Sequence, residues 1–238
     1  MFKNIVTYTI LAAALANGAP LVDPLELDAR DILALSERDV DIAAREIAPR
    51  VVTNLTGFAD FERFNVSGTT ITELGYYGGL FFKGLAAVTN AFLPALQPRS
   101  PVNIAAYGAA TTTLNSNPFI TSRFSGSKTQ SFGVSSFFFG CADADGTGAV
   151  SCRVAVAGYD TFNRLLAYQT LTFNPTGTSS PFALAPAVLK GAFGAGISTL
   201  RLATQYDGNV VGTTALDNIR YSIIQDNSTI TTPTSPST

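Results

Sequence analysis

From Thr129 to Asp160 two long runs of alternating apolar and polar residues, TQSFGVSSFFFGCADADGTGAVSCRVAVAGYD, are separated by a Gly- and Asp-rich interval with a cysteine at each base. At period two, Phe132, Val134 and Phe138 share one face, and Phe137 and Phe139 the other. Three successive phenylalanines make that end apolar on both faces, which suits a central strand. In the second run Val150, Cys152, Val154 and Val156 share a face that Arg153 opposes. DADGTG supplies turn residues, so the pattern predicts a β-hairpin. Cys141 and Cys152 are the only two cysteines, and a bridge closing so short a loop stabilises a fold by roughly 3 kcal/mol in the chain-entropy model.

The same alternation predicts strands near Phe58–Phe64, Thr69–Thr72, Leu80–Val88, Asn103–Tyr107, Thr111–Leu114 and Phe119–Phe124 upstream. Downstream it predicts Leu165–Phe173, Phe182–Leu189, Thr199–Tyr206 and Val210–Ile223. Turn residues punctuate them at the spacing of a sandwich or barrel, and no strand–helix alternation calls for a parallel sheet. Ala86–Leu96 reads as a helical turn or two, ended by Pro94, Pro98 and Pro101. The expected fold is an all-β, antiparallel β-sandwich over residues 51–225, long enough to bury ~70% of the unfolded surface.

The two ends differ from this body. MFKNIVTYTILAAALANGAP carries a lysine, an apolar run from Ile5 to Ala16 and a small-residue cleavage site at Ala14-Leu15-Ala16. It reads as a signal peptide over residues 1–16, too short to span a bilayer. Residues 17–50 read as a pro-segment, cut after Arg45 or Arg50, or as a flexible arm. Ile32, Leu35, Ile42 and Ile47 interleave there with charges in a helix-prone pattern. Residues 226–238 form a Ser/Thr/Pro-rich tail. Acceptor sequons stand at Asn54, Asn65 and Asn227. Together with the cysteine pair these features predict a secreted, extracellular glycoprotein.

Composition narrows the chemistry. Of 238 residues 46% are hydrophobic and 13% charged, in keeping with strands and turns. Residues 21–50 hold eight acids against four arginines, and residues 51–225 ten basic residues against eight acids. Neither balance, nor any basic run, suggests nucleic-acid binding. There is no histidine. Ser-His-Asp and Cys-His catalysis are therefore excluded, and the commonest metal ligand is missing. Carboxylates remain. Asp60 and Glu62 are expected on one face of one strand, about 7 Å apart by strand rise, a poor arrangement for a catalytic pair, which flanks a scissile bond. Calcium takes oxygen ligands alone; candidates are the Asp143–Asp145 loop, whose later EF-hand-like ligands are missing, and Asp60 and Glu62 with Asp217.

FADFERF, YYGGLFF, SPVNIA, SFFFGCA and ALDNIRY together resemble a family of uncharacterised secreted fungal proteins over most of residues 57–224. Its members look like jelly-roll sandwiches of the galactose-binding-like, carbohydrate-binding-module kind. The resemblance implies that fold, and a structural calcium on Glu62 (or Asp60) and Asp217. This chain reads Asp-Phe-Glu-Arg where a paired Phe-Asp-Asp is more usual. Asp217 is equally readable as an Asp that hydrogen-bonds its own turn. Tyr76 and Tyr77 read either as core or rim packing beside Gly78 and Gly79, or as an aromatic platform for a sugar ring. The leading expectation is a non-catalytic module binding carbohydrate of a cell wall or cell surface. An extracellular structural or protein-interaction protein comes second, and a carboxylate-dependent glycan-active enzyme third.

Overall fold

The computed structural model describes residues 52–111, 118–177 and 180–226. The expected signal peptide, the 17–50 segment, residues 227–238 of the Ser/Thr/Pro-rich tail and with them Asn227 lie outside the described residues. Thirteen strands are described: β1 (Val52–Ala59), β2 (Thr72–Tyr77), β3 (Leu80–Thr89), β4 (Leu96–Gln97), β5 (Asn103–Gly108), β6 (Phe119–Thr121) and β7 (Thr129–Asp143). They continue with β8 (Cys152–Tyr159), β9 (Leu165–Phe173), β10 (Phe182–Ala183), β11 (Ala185–Val188), β12 (Thr199–Tyr206) and β13 (Gly212–Asp226). The expected all-β, antiparallel class holds; the one parallel pair joins β4 to β10 over two residues.

Eleven strands form one sheet in the order β11-β7-β13-β5-β3-β6-β12-β8-β9, with β1 added to β13 and β2 to β3. The sheet curls until its ends face one another. Phe139 of β7 meets Phe173 of β9 with ring centroids 6.3 Å apart, and the Gln169 side chain bridges the open edges. Its Nε2 donates to Val188 O at 2.9 Å, and its Oε1 accepts from Lys190 N at 3.3 Å. Inside, Phe82, Phe132, Phe139, Leu85, Ile104 and Ile197 are fully buried, each contributing about 1.5–3 kcal/mol by removal from water.

β7 and β8 are not a hairpin. β7 lies between β11 and β13, and β8 between β12 and β9; only Ala142 and Ala149 form an isolated bridge. Both runs are apolar on their inner face, so they pack across the core rather than edge to edge. The Cys141–Cys152 bond, Cα–Cα 6.2 Å, therefore ties the two layers together.

Other expectations shift by a few residues. Phe58–Phe64 is not one strand: β1 ends at Ala59, and Phe61 (φ 62) turns the chain. Thr69–Thr72 only begins β2, Ala86–Leu96 continues β3 to Thr89 before turning, and Thr111 sits in a turn. The inner phenylalanines of β7 also differ. Phe132 and Val134 share the interior with Phe137 and Phe139, while Phe138 is half-buried. Two compensating irregularities explain it: β13 gains a residue after Asp217, and β7 gains one where Arg220 pairs Ser136 but Tyr221 pairs Val134. An inserted residue shifts a period-two pattern to the other face.

Candidate functional site

Three of the motifs, FADFERF, SPVNIA and ALDNIRY, converge on one polar latch. Asp217 is fully buried where β13 bulges. Its Oδ2 accepts from the Arg99 and Ser100 amides at 2.7 and 2.8 Å. Its Oδ1 accepts from the Ser100 hydroxyl and the Asn218 amide at 2.8 and 2.7 Å. Burial pushes its carboxyl above the usual range, and the hydrogen bonds from Ser100, Arg99 and Asn218 oppose that. Glu62 holds the other end of the same loop, its Oε1 accepting from the Val102 and Asn103 amides at 3.0 and 2.9 Å. Asn103 completes the latch by donating from Nδ2 to Phe61 O at 3.2 Å and Phe64 O at 2.9 Å. Its Oδ1 and that of Asn218 are buried without a hydrogen bond.

Calcium was expected on Asp60, Glu62 and Asp217, and each of these carboxylates accepts hydrogen bonds from the chain itself. The four bonds to Asp217 use the roughly four lone-pair positions a carboxylate has. No group of three or more His, Cys, Asp or Glu able to hold a metal forms among the described residues. Asp60 is not on a strand face shared with Glu62, as the turn at Phe61 separates them; Asp60 Oδ1 accepts instead from the Tyr77 hydroxyl at 3.1 Å and the Glu62 amide at 3.3 Å. Of the two readings of Asp217, turn bonding describes its contact with Asn218. At the other loop, Asp145 accepts from the Thr147 amide and hydroxyl, while Asp143 Oδ1 is buried without a hydrogen bond.

Beside the latch runs an open groove. Depressions of about 560, 810 and 690 Å³ adjoin. The first two share Thr56 to Phe58 and Tyr221, and the last two share Tyr76, Gly79 and Gln225. The path leads from Gly194 and Ser135, past Phe58 and Tyr221, to Phe124 and Lys128. Tyr221 is held at the groove by two glycines. A Cβ at Gly57 would lie 2.2 Å from the Tyr221 ring, and one at Gly78 1.9 Å from its hydroxyl. That hydroxyl donates to Gly78 O at 3.0 Å, and burial pushes its pKa up to about 12.

The neighbouring tyrosines separate. Tyr76 is 64% exposed and packs its edge on Phe124 at 5.5 Å. Tyr77 is 4% exposed, stacks on Phe64, and carries the Arg63 guanidinium 3.7 Å above its ring. As an exposed platform, then, Tyr76 stands without Tyr77, because successive strand residues face opposite ways. Asp60, Glu62 and Arg63 line the groove beside Tyr76. Asp60 and Glu62 each keep one carboxylate oxygen with no hydrogen bond among the described residues. Asn54 and Asn65 are exposed, as carbohydrate acceptors must be. Phe124 and Gln225 were not singled out by the sequence, since no local pattern announces partners so far apart along the chain, and Arg63 and Tyr221 were marked only by their place in FADFERF and ALDNIRY. Asn103 and Ser100 carried a signal, their place in SPVNIA.

No family model and no curated protein matches the chain. Among solved structures it is similar to a DUF4465 family protein from Bacteroides caccae, at 9% identity over 73% of this chain and 93% of that one, TM-score 0.45. It is also similar to the K2 cleaved adhesin domain of Lys-gingipain, at 11% identity over 70% and 97%, TM-score 0.34. A third likeness is to the enzymatically active domain of the bacteriophage CBA120 tailspike protein 4, at 10% identity over 71% and 19%, TM-score 0.27.

Proposed function

We propose that this chain is a secreted, non-catalytic β-sandwich module that binds carbohydrate of a cell wall or cell surface along the Tyr76 groove. Exposed Tyr76, standing over a groove that also presents Asp60, Glu62 and Arg63, is the observation that carries the reading. An aromatic face packs against the C–H face of a pyranose, while carboxylate oxygens and a guanidinium satisfy its hydroxyls. The three adjoining depressions make the groove long, which suits an internal stretch of a polysaccharide. Binding without hydrolysis is favoured because Asp60 and Glu62 sit on one turn. Carboxylates that cleave glycosides approach the bond from two sides. The cysteine bridge between the layers suits an oxidising exterior.

Affinity electrophoresis through gels containing wall polysaccharides, backed by a glycan array, tests this. At least one polysaccharide should retard the protein, and Tyr76→Ala should weaken binding about tenfold, the loss of one aromatic stacking contact, without lowering the melting temperature. No retardation by any saccharide would leave the protein-interaction reading in its place.

A further inference from the structure

At the far end of β8 and β9 the chain presents a rigid apolar turn ringed by arginines. Asp160 organises it: its Oδ1 accepts from the Phe162 and Arg164 amides at 2.8 and 2.9 Å, and its own amide donates to Arg164 O at 3.0 Å. Asn163, at φ 60, donates its amide back to Asp160 O at 3.1 Å. So fixed, the turn holds Phe162 78% exposed, next to Leu165 at 57% and Leu166 at 41%. A braced turn that displays three large apolar side chains to water marks an interaction site.

Three guanidiniums are built into the same turn. Arg164 pairs with Asp160 Oδ2 at 2.6 Å and lies 5.3 Å from the Phe162 ring. Arg123 donates to Thr161 O at 2.8 Å. Arg201 donates to Asn163 Oδ1 at 3.2 Å and covers the Tyr159 ring at 4.8 Å. One acid stands against three cations, and Arg164 already occupies it. Arg123, just after β6, and Arg201, on β12, reach the turn from outside it.

We propose that this turn is a membrane-surface anchor. Phe162, Leu165 and Leu166 enter the interface of an anionic lipid bilayer, and Arg123 and Arg201 meet the headgroup phosphates. An exposed apolar tip with arginines bonded into the same turn matches the combination of acyl boundary and anionic headgroups at a lipid surface. Such a surface needs no complementary cavity, whereas a protein partner would have to supply a socket for Phe162. The anchor is independent of the groove.

The test is co-sedimentation of the full secreted chain with phosphatidylcholine vesicles, with and without phosphatidylglycerol. The chain should pellet with the anionic vesicles and be released by salt. Phe162→Ser should weaken binding about tenfold, the loss of one inserted aromatic side chain, and Arg123→Gln and Arg201→Gln about fivefold each, all three at unchanged melting temperature. Sedimentation with neither vesicle, or undiminished binding by Phe162→Ser, overturns the anchor. So does a Phe162→Ser variant that alters only the oligomeric mass in light scattering, which would assign the turn to contacts between proteins.

Discussion

Truncating Asp217 to alanine isolates the latch, since nothing else in the chain takes over its bonds. The variant leaves the amides of Arg99, Ser100 and Asn218 without their acceptor in a site closed to water. The Ser100 hydroxyl keeps a partner, because Asn103 O lies 2.8 Å from it. Each orphaned buried donor costs about 1–3 kcal/mol. Against this, the variant removes a buried charge whose desolvation already raises the Asp217 pKa. Three orphaned donors, offset in part by relief of that buried charge, should leave a loss of about 4 kcal/mol. At about 2–4 °C per kcal/mol for a domain of this size, the melting temperature should fall by about 8–16 °C. Asp217→Asn should fall less, because one amide oxygen still serves Arg99 and Ser100. The pH dependence has a definite sign. A raised carboxyl pKa contributes stability present below the unfolded value of about 3.9 and lost as pH rises through the folded value. The gap between wild type and Asp217→Ala should therefore widen as pH is lowered toward about 4. Calorimetry and urea unfolding at a series of pH values would measure both. A loss under about 1 kcal/mol, or a gap that narrows on acidification, refutes the latch as a stabilising device.

Further outcomes follow from the same contacts. Replacing Cys141 and Cys152 by alanine should cost about 3 kcal/mol, read as a lowered urea midpoint; an unchanged midpoint would mean that the layers hold without the bond. Tyr77, Tyr107, Tyr206 and Tyr221 all have raised pKa values with burial as the leading cause, so stability should be lost as pH climbs from about 10 toward 12. Absorbance at 295 nm should show those tyrosines ionising together with unfolding, not before it. With the Asp217 carboxylate engaged in four hydrogen bonds, thermal melts in chelator and in calcium should coincide; a rise in melting temperature with calcium would return Asp60, Glu62 and Asp217 to the role of ligands.

The period-two pattern made the β class legible, and most strand centres fall within the predicted runs. Pairing was not legible in that way. The runs around Cys141 and Cys152 carry every local mark of a hairpin, yet β7 and β8 lie far apart in the sheet. Alternation reports which side of a strand is buried and is silent about its neighbour. The phenylalanine faces failed for a different reason: the extra residue that β7 carries at Ser135 interrupts the period between Val134 and Phe137. Asp60 and Glu62 were misplaced by the left-handed turn at Phe61, a conformation rare for a large non-glycine side chain and unannounced by its neighbours. Tyr76 and Tyr77 were identified as a pair; both line the groove, and alternation alone implied that only one could stand exposed.

The latch and the groove share the turn from Asp60 to Phe64, and that sharing connects fold to function. Asn103 holds the carbonyls at either end of the turn, Phe61 and Phe64, while Glu62 grips the 102–103 amides. From the same turn Asp60, Glu62 and Arg63 face the groove, and Asp60 reaches the Tyr77 hydroxyl next to Tyr76. Polar groups that meet a sugar must be held in place before it arrives, because ordering them on binding costs about 0.5–1.5 kcal/mol for each immobilised side chain. Asn103→Ala, which leaves the groove lining untouched, should therefore weaken saccharide binding as well as stability. Calorimetric titration well below the variant's melting point separates the two effects. Affinity equal to wild type in a folded Asn103→Ala protein would show that the latch stabilises the sandwich without shaping its binding face.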